Sequence, residues 1–220
     1  MSSVHIRPPL PKPGNIDCMA VNYMEDGTRD APAPINAFHK SASAIIGVGD
    51  TLLAHRVLEL LQERGASLTT AESCTGGLIA SMLTRIPGSS QGFHAGFVTY
   101  SNAIKQSVLG VNAQTLADKG AVSEEVVREM ALGALQRSGA DYAIAVSGIA
   151  GPDGGTEEKP VGTVWLAWGD RQNIRTRCLV WPVDRTLFQT MLAAAGLDMM
   201  RRFLLGIDEE PRYFAQRQAR

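Results

Sequence analysis

Hydrophobic residues first take helical spacing at Leu53, Val57, Leu60 and Leu61, behind a cap-competent Asp50, and Gly65 ends the pattern. The β-prone Leu68-Thr69-Thr70 then leads to Ser73, and helical spacing resumes at Leu78, Ile79, Met82 and Leu83. Residues 92–101 read as a strand and residues 102–108 as a short helix carrying Lys105. Ser123 is placed to cap a helix whose apolar face is Val126, Val127, Met130, Leu132 and Leu135, with Gly139 closing it. Tyr142 to Val146 reads as a buried strand that runs into a glycine-rich segment. Two further β runs, 161–168 and 174–181, flank Gly169-Asp170-Arg171-Gln172 and predict a hairpin. Leu187, Met191, Leu192, Ala195, Met199 and Phe203 make a last helix that would cover one sheet face. Helices alternating with strands, then a hairpin, imply an α/β protein: a three-layer α/β/α sandwich around a mixed, mainly parallel sheet.

The periodic pattern occupies residues 41–208, the expected folded domain. Residues 1–40 hold six of the eleven prolines and little periodicity, which reads as a mobile extension. Residues 209–220 read as a polar tail. With 45% hydrophobic residues the chain can bury one good core. Lys and Arg number 21 against 22 Asp and Glu, so a formal charge of −1 gives no drive toward nucleic acid. Cys18, Cys74 and Cys178 are widely spaced and include no CxxC pair, which disfavours a disulfide framework and a zinc site and suits a reducing cytoplasm. No segment approaches the roughly 20 apolar residues that span a bilayer, so a soluble protein without membrane partners is expected.

Candidate chemistry gathers between Thr69 and Lys105. A strand-to-helix corner displays the Ser73 hydroxyl beside N–H groups at a helix N-terminus, which favour negative charge. Thr75, Gly76 and Gly77 are candidate donors to an oxyanion there. Serine is a weak nucleophile until a base takes its proton, and the four histidines lie in no helpful pattern. Lys105 is the alternative base, provided burial or a neighbouring cation lowers its pKa from about 10.4. Tyr100 is placed to relay the proton or orient the amine. Each of the three also admits a plain structural explanation: a helix cap, a ring at a core edge, an amine on a solvated helix face. Cys74 is a rival nucleophile, since thiols at helix N-termini ionise readily, but adjacent residues point roughly 100° apart and only one can face a substrate. Glu72 reads either as a polarising neighbour or as a structural group. The histidines and acidic pairs form no metal-ligand pattern, so no metal or other cofactor is expected.

The runs AESCTGG, PGSS and GFVTYSN with a lysine after it, then GAVSEEVV, SGIAGPDGG and EEKPVGTVW, resemble the CinA C-terminal domain family, whose enzymatic members are nicotinamide-nucleotide amidases, or NMN deamidases. The resemblance is dense from about residue 50 to 168 and looser to about 205. It implies metal-free hydrolysis of the carboxamide of nicotinamide mononucleotide (NMN) to nicotinic acid mononucleotide and ammonia. The catalytic serine, tyrosine and lysine would be Ser73, Tyr100 and Lys105, and the resemblance suggests a homodimer. It also raises the glycine-rich segment as a phosphate cradle, with Ser147, Gly148 and Gly155 as substrate contacts and Ser89 and Ser90 of the PGSS turn beside them. Some members are named for competence and DNA damage, and many carry an N-terminal molybdopterin-binding-like domain, for which no stretch of this chain is long enough. The alternative class is therefore a catalytically silent regulatory or competence-associated binding protein. Intact Ser73, Tyr100 and Lys105 argue against it.

Overall fold

A computed structural model describes residues 16–19, 37–40 and 50–215. Most of the expected extension, 1–40, and the end of the expected tail, 216–220, lie outside the described residues. Two compact units are present, residues 1–45 and 46–220. In the first, β1 (Ile16–Met19) pairs antiparallel with β2 (Ala37–Lys40), two strands that the proline-rich composition did not announce.

The second unit begins with α1 (Asp50–Arg64), β3 (Leu68–Glu72), α2 (Leu78–Thr84) and β4 (Phe93–Val98). Then come α3 (Asn102–Leu109), α4 (Ala113–Lys119), α5 (Glu124–Ser138), β5 (Tyr142–Gly148), β6 (Thr163–Asp170) and β7 (Ile174–Val180). It closes with α6 (Arg185–Leu204) and a single turn, α7 (Arg212–Ala215). The five strands lie in the order β4-β3-β5-β6-β7. Pairings β3–β4 and β3–β5 are parallel, while β5–β6 and β6–β7 are antiparallel, so β6 alone runs against the other four. The chain steps from β3 to β4 on one side and returns to β5 on the other. That reversal makes the carboxyl end of β3 a topological switch point, where open α/β sheets leave a crevice.

Side chains alternate across the sheet. Leu68, Ile144, Val146, Leu166 and Leu179 face α1, α2 and α6 in one apolar core. Ala71, Ala143, Ala145 and Ala167 face α5 in the other. The alanine face draws α5 close to the sheet. The same closeness recurs between helices: a Cβ built on Gly133 of α5 would lie 1.9 Å from the backbone oxygen of Leu109, the last residue of α3. Glycine at 133 thus lets α3 lie against α5, and α3 is the helix that carries Lys105. No helix among the described residues is long and apolar enough to cross a membrane.

Gly133→Ala should destabilise the fold. In an isolated helix alanine is better than glycine by about 1 kcal/mol, but a clash with a backbone atom cannot be relieved by a rotamer change, and overpacking costs about 1–3 kcal/mol. Urea unfolding should show a lower midpoint; an unchanged or raised midpoint would mean that the α3–α5 contact yields easily.

Candidate active site

The carboxyl ends of β3, β4 and β5 open into a cleft of about 210 Å³. Ser73, Cys74, Tyr100, Asn102, Lys105, Ala121, Val122, Ser147, Gly148, Ala150 and Arg185 line it. Ser73 follows the last residue of β3, and its N–H donates to the carbonyl of Val146 in the neighbouring β5 at 3.1 Å, so the sheet fixes its backbone. Lys105 comes from the first turn of α3, which Ser101 caps by accepting from the N–H of Ile104 at 3.3 Å. The Lys105 side chain is 1% exposed. Its Nζ donates to Ser73 Oγ at 3.0 Å, to the Thr99 carbonyl at 2.8 Å and to the Tyr100 carbonyl at 3.2 Å. Burial pulls its pKa below the ordinary 10.5 of lysine, against a smaller opposing pull from Cys74.

Those three partners suit both charge states of the amine. An ammonium donates three hydrogens, one to each oxygen. A neutral amine keeps two N–H bonds for the two carbonyls and turns its lone pair to the Ser73 hydroxyl, which then donates. A proton can therefore pass from serine to lysine without either group moving.

Glu72 resolves on the structural side. It is fully buried, and Oε2 accepts from Thr75 Oγ1 at 2.7 Å, from the Gly77 N–H at 3.1 Å and from the Ile79 N–H at 3.1 Å. Oε1 accepts from the Ala80 N–H at 2.8 Å. The carboxylate thus occupies the positive end of α2 that the sequence offered to an anion at Ser73. Gly76 is engaged too, donating its N–H to the Ser73 carbonyl at 3.1 Å. Thr75, Gly76 and Gly77 consequently build the turn under Ser73, and the Gly76 and Gly77 N–H groups already have acceptors.

Tyr100 lines the cleft in a different manner from a proton relay. Its carbonyl holds Lys105, while its ring is 61% exposed and its hydroxyl accepts from Arg185 Nη2 at 3.0 Å. Arg185 also donates through Nη1 to the Gly151 carbonyl at 2.8 Å, joining the phenol to the glycine-rich loop. Sequence reasoning missed this arginine because it is 85 residues from Tyr100. Its one local signal was Asp184, whose side chain accepts from the Leu187 N–H and starts α6 at the cleft mouth.

Ser147 and Gly148 reach the cleft as expected. Ser147 Oγ donates to the Ala121 carbonyl at 2.7 Å, which pins the approach to α5. Gly148 is required by close strand packing, since a Cβ there would lie 2.9 Å from the Thr163 oxygen and from Val164. Gly155 is exposed and outside the cleft. Ser89 and Ser90 lie in a 3-10 turn before β4, whose six residues put them roughly 20 Å from the cleft. The Cys74 thiol is buried, and desolvation pushes its pKa up to about 12, so it stays protonated at neutral pH. Among the described residues no three His, Cys, Asp or Glu side chains gather to hold a metal ion.

The α/β sheet thus places a buried lysine amine within hydrogen-bond distance of a serine hydroxyl at its switch point. The model of the CinA C-terminal domain matches residues 50–204, and the chain belongs to that family. A CinA-like protein of Colwellia psychrerythraea is 58% identical over 165 residues, covering 75% of this chain and 38% of its own length. The chain thus spans well under half of that relative. Nicotinamide-nucleotide amidohydrolase PncC of Escherichia coli K12 is 51% identical over 155 residues, covering 64% of this chain and 93% of its own. Among solved structures, a competence-damaged protein (CinA) superfamily protein of Klebsiella pneumoniae is 41% identical with a TM-score of 0.69, over 71% of this chain and 98% of that one.

Glu72→Gln should test the carboxylate's part in the fold. One of its two acceptor oxygens becomes a donor facing N–H groups, and each buried partner left unsatisfied costs about 1–3 kcal/mol. A loss in that range by chemical denaturation is the expected outcome. A variant as stable as the parent would show that the turn does not lean on Glu72.

Proposed function

We propose that the chain is a nicotinamide-nucleotide amidohydrolase, with Ser73 as nucleophile and Lys105 as base. The observation that carries the mechanism is the 3.0 Å contact between a buried lysine amine and the serine hydroxyl. The substrate rests on the named activity of the PncC relative. Neutral Lys105 takes the Ser73 proton as Oγ bonds to the carboxamide carbon, and the carbonyl π pair moves to oxygen. The tetrahedral adduct collapses, the C–N bond breaks and Lys105 returns the proton to the departing ammonia. A water then attacks the resulting ester with Lys105 again as base, releasing the carboxylate and restoring Ser73.

The cleft volume lies below the ~300 Å³ where ligand pockets typically begin, which suits the reacting carboxamide ring and leaves the ribose phosphate at the mouth. Arg185 stands there, held by a phenol and a backbone carbonyl that a phosphate can replace as acceptors. Tyr100 contributes a wall of the cleft and holds Arg185. The same proposal takes residues 41–208 as the catalytic domain of a cytoplasmic homodimer that uses no metal or other cofactor and engages no nucleic acid. Ser147, Gly148, Ser73 and Lys105 are its contacts in this cleft; Gly155, Ser89 and Ser90 need a different surface to reach a substrate.

Ammonia release from NMN by the purified protein tests this reading. Ser73→Ala should abolish release with the fold intact, while Cys74→Ala keeps a substantial fraction of it. Equal loss in both, or no release by the parent, would end the assignment. Nicotinamide riboside and free nicotinamide should turn over more slowly as well as bind more weakly, because phosphate and ribose contacts position the reacting group.

The pH profile tests the base separately. Lys105 must be neutral to act, so kcat/KM should rise with pH through its folded pKa, which burial sets below 10.5. The same shift makes the unfolded chain bind more protons between those two values, so the site's contribution to stability also rises with pH across that window. Lys105→Arg should be nearly inactive, since a guanidinium keeps the charge but does not deprotonate. A near-native Lys105→Arg, or an acid limb at 10.5 or above, would place the base elsewhere.

A further inference from the structure

The turn after Ser73 contains two consecutive peptide groups whose carbonyls are anchored and whose N–H groups are not. Gly76 donates its N–H to the Ser73 carbonyl at 3.1 Å. From α6, Gln189 Nε2 donates to the Cys74 carbonyl at 2.7 Å across 115 residues of chain. Both peptides are trans, so in each the C=O and the N–H point in opposite directions. Anchoring the Ser73 carbonyl fixes where the Cys74 N–H points, and anchoring the Cys74 carbonyl fixes the Thr75 N–H. Cys74 and Thr75 are each only 4% exposed; the Cys74 N–H meets its own thiol, and among the described residues no other residue accepts from either N–H. Buried N–H groups are rarely left so, and these two directly follow the proposed nucleophile. The N–H groups of Gly76 through Ala80 are all committed to Glu72 or to carbonyls of the turn itself.

We infer that Gln189 is a positioning residue for amide hydrolysis: it holds the Cys74–Thr75 peptide so that the Cys74 and Thr75 N–H groups receive the oxyanion formed when Ser73 adds to the carboxamide. The inference rests on Ser73 being the nucleophile. Charge develops on the former carbonyl oxygen as the Ser73 Oγ–C bond forms and the serine proton passes to Lys105. Donors held rigid before that moment act most strongly on the adduct and little on the bound substrate. Arg185 lies four residues before Gln189, on the same face of α6, so one helix end serves both the cleft mouth and the nucleophile turn.

The test is NMN turnover by Gln189→Met, which keeps the length and bulk of glutamine but has no donor. kcat should fall about tenfold to a hundredfold while KM stays within about twofold and the thermal midpoint is nearly unchanged. The aldehyde analogue of NMN, which adds Ser73 to give a hemiacetal with oxygen in the same place, should bind more weakly by the same factor as kcat falls. Gln189→Leu, also without a donor, should show the same split. A merely structural glutamine would move KM and the thermal midpoint together with kcat. Ser73→Ala measured alongside separates the two readings. If it is inactive while both Gln189 variants keep kcat and aldehyde affinity, the role of Gln189 is overturned and the serine reading stands. If Ser73→Ala still turns over, both fall.

Discussion

Burying a lysine amine against a serine hydroxyl is the constraint from which the site follows. An ammonium taken out of water is costly unless its hydrogens meet acceptors. Here the two acceptors besides serine are consecutive main-chain carbonyls, Thr99 and Tyr100, at the point where β4 gives way to α3. That choice ties the amine to sheet register. Thr99 N–H donates to the Glu72 carbonyl at 2.9 Å, so the strand that supplies the carbonyls is locked to the strand that supplies the serine. The α3 helix must then start at once, and the Ser101 cap starts it. Its far end must lie flat against α5, and Gly133 allows it.

A second carboxyl-end device keeps the nucleophile turn from drifting. Glu72 sits at the last position of β3 and grips the first turn of α2, so strand and helix are joined through a side chain as well as through the turn. The helix charge that a ligand would feel is spent on this internal carboxylate. The two peptides nearer the serine are oriented instead through their carbonyls, by Gly76 on one and Gln189 on the next.

Much of the fold was legible because it is written in local periods. The αβ unit before Ser73, the capped α5 and the hairpin of β6 and β7 each announce themselves within about 20 residues of pattern. The positions of Ser73 and Lys105 were legible for the same reason: one directly follows a strand, the other lies in the first turn of a helix. The short α4 was not, because seven residues after Asn112 carry one buried apolar side chain, Leu116, and no period. Contacts across the fold were hidden for a different reason. Arg185 and Gln189 sit on a helix whose apolar spacing describes only the face against the sheet, and nothing in that spacing says what its first two turns touch. The PGSS turn shows the converse. The resemblance set Ser89 and Ser90 beside the substrate, but the whole of β4 carries the chain from that turn to the other end of the sheet, where Tyr100 lines the cleft.

The same desolvation decides which of two adjacent residues can react. Withdrawal from water disfavours whichever form of a group is charged, so it lowers the amine of Lys105 and raises the thiol of Cys74, to about 12 in the latter. The burial that draws the lysine amine toward neutrality therefore keeps the neighbouring cysteine protonated. Burial shifts Lys105 toward its neutral form, and under the proposed mechanism the serine hydroxyl needs no ionisation beforehand because its proton leaves as the new bond forms. The thiol's usual advantage is a thiolate formed ahead of the reaction. In this site burial removes that advantage.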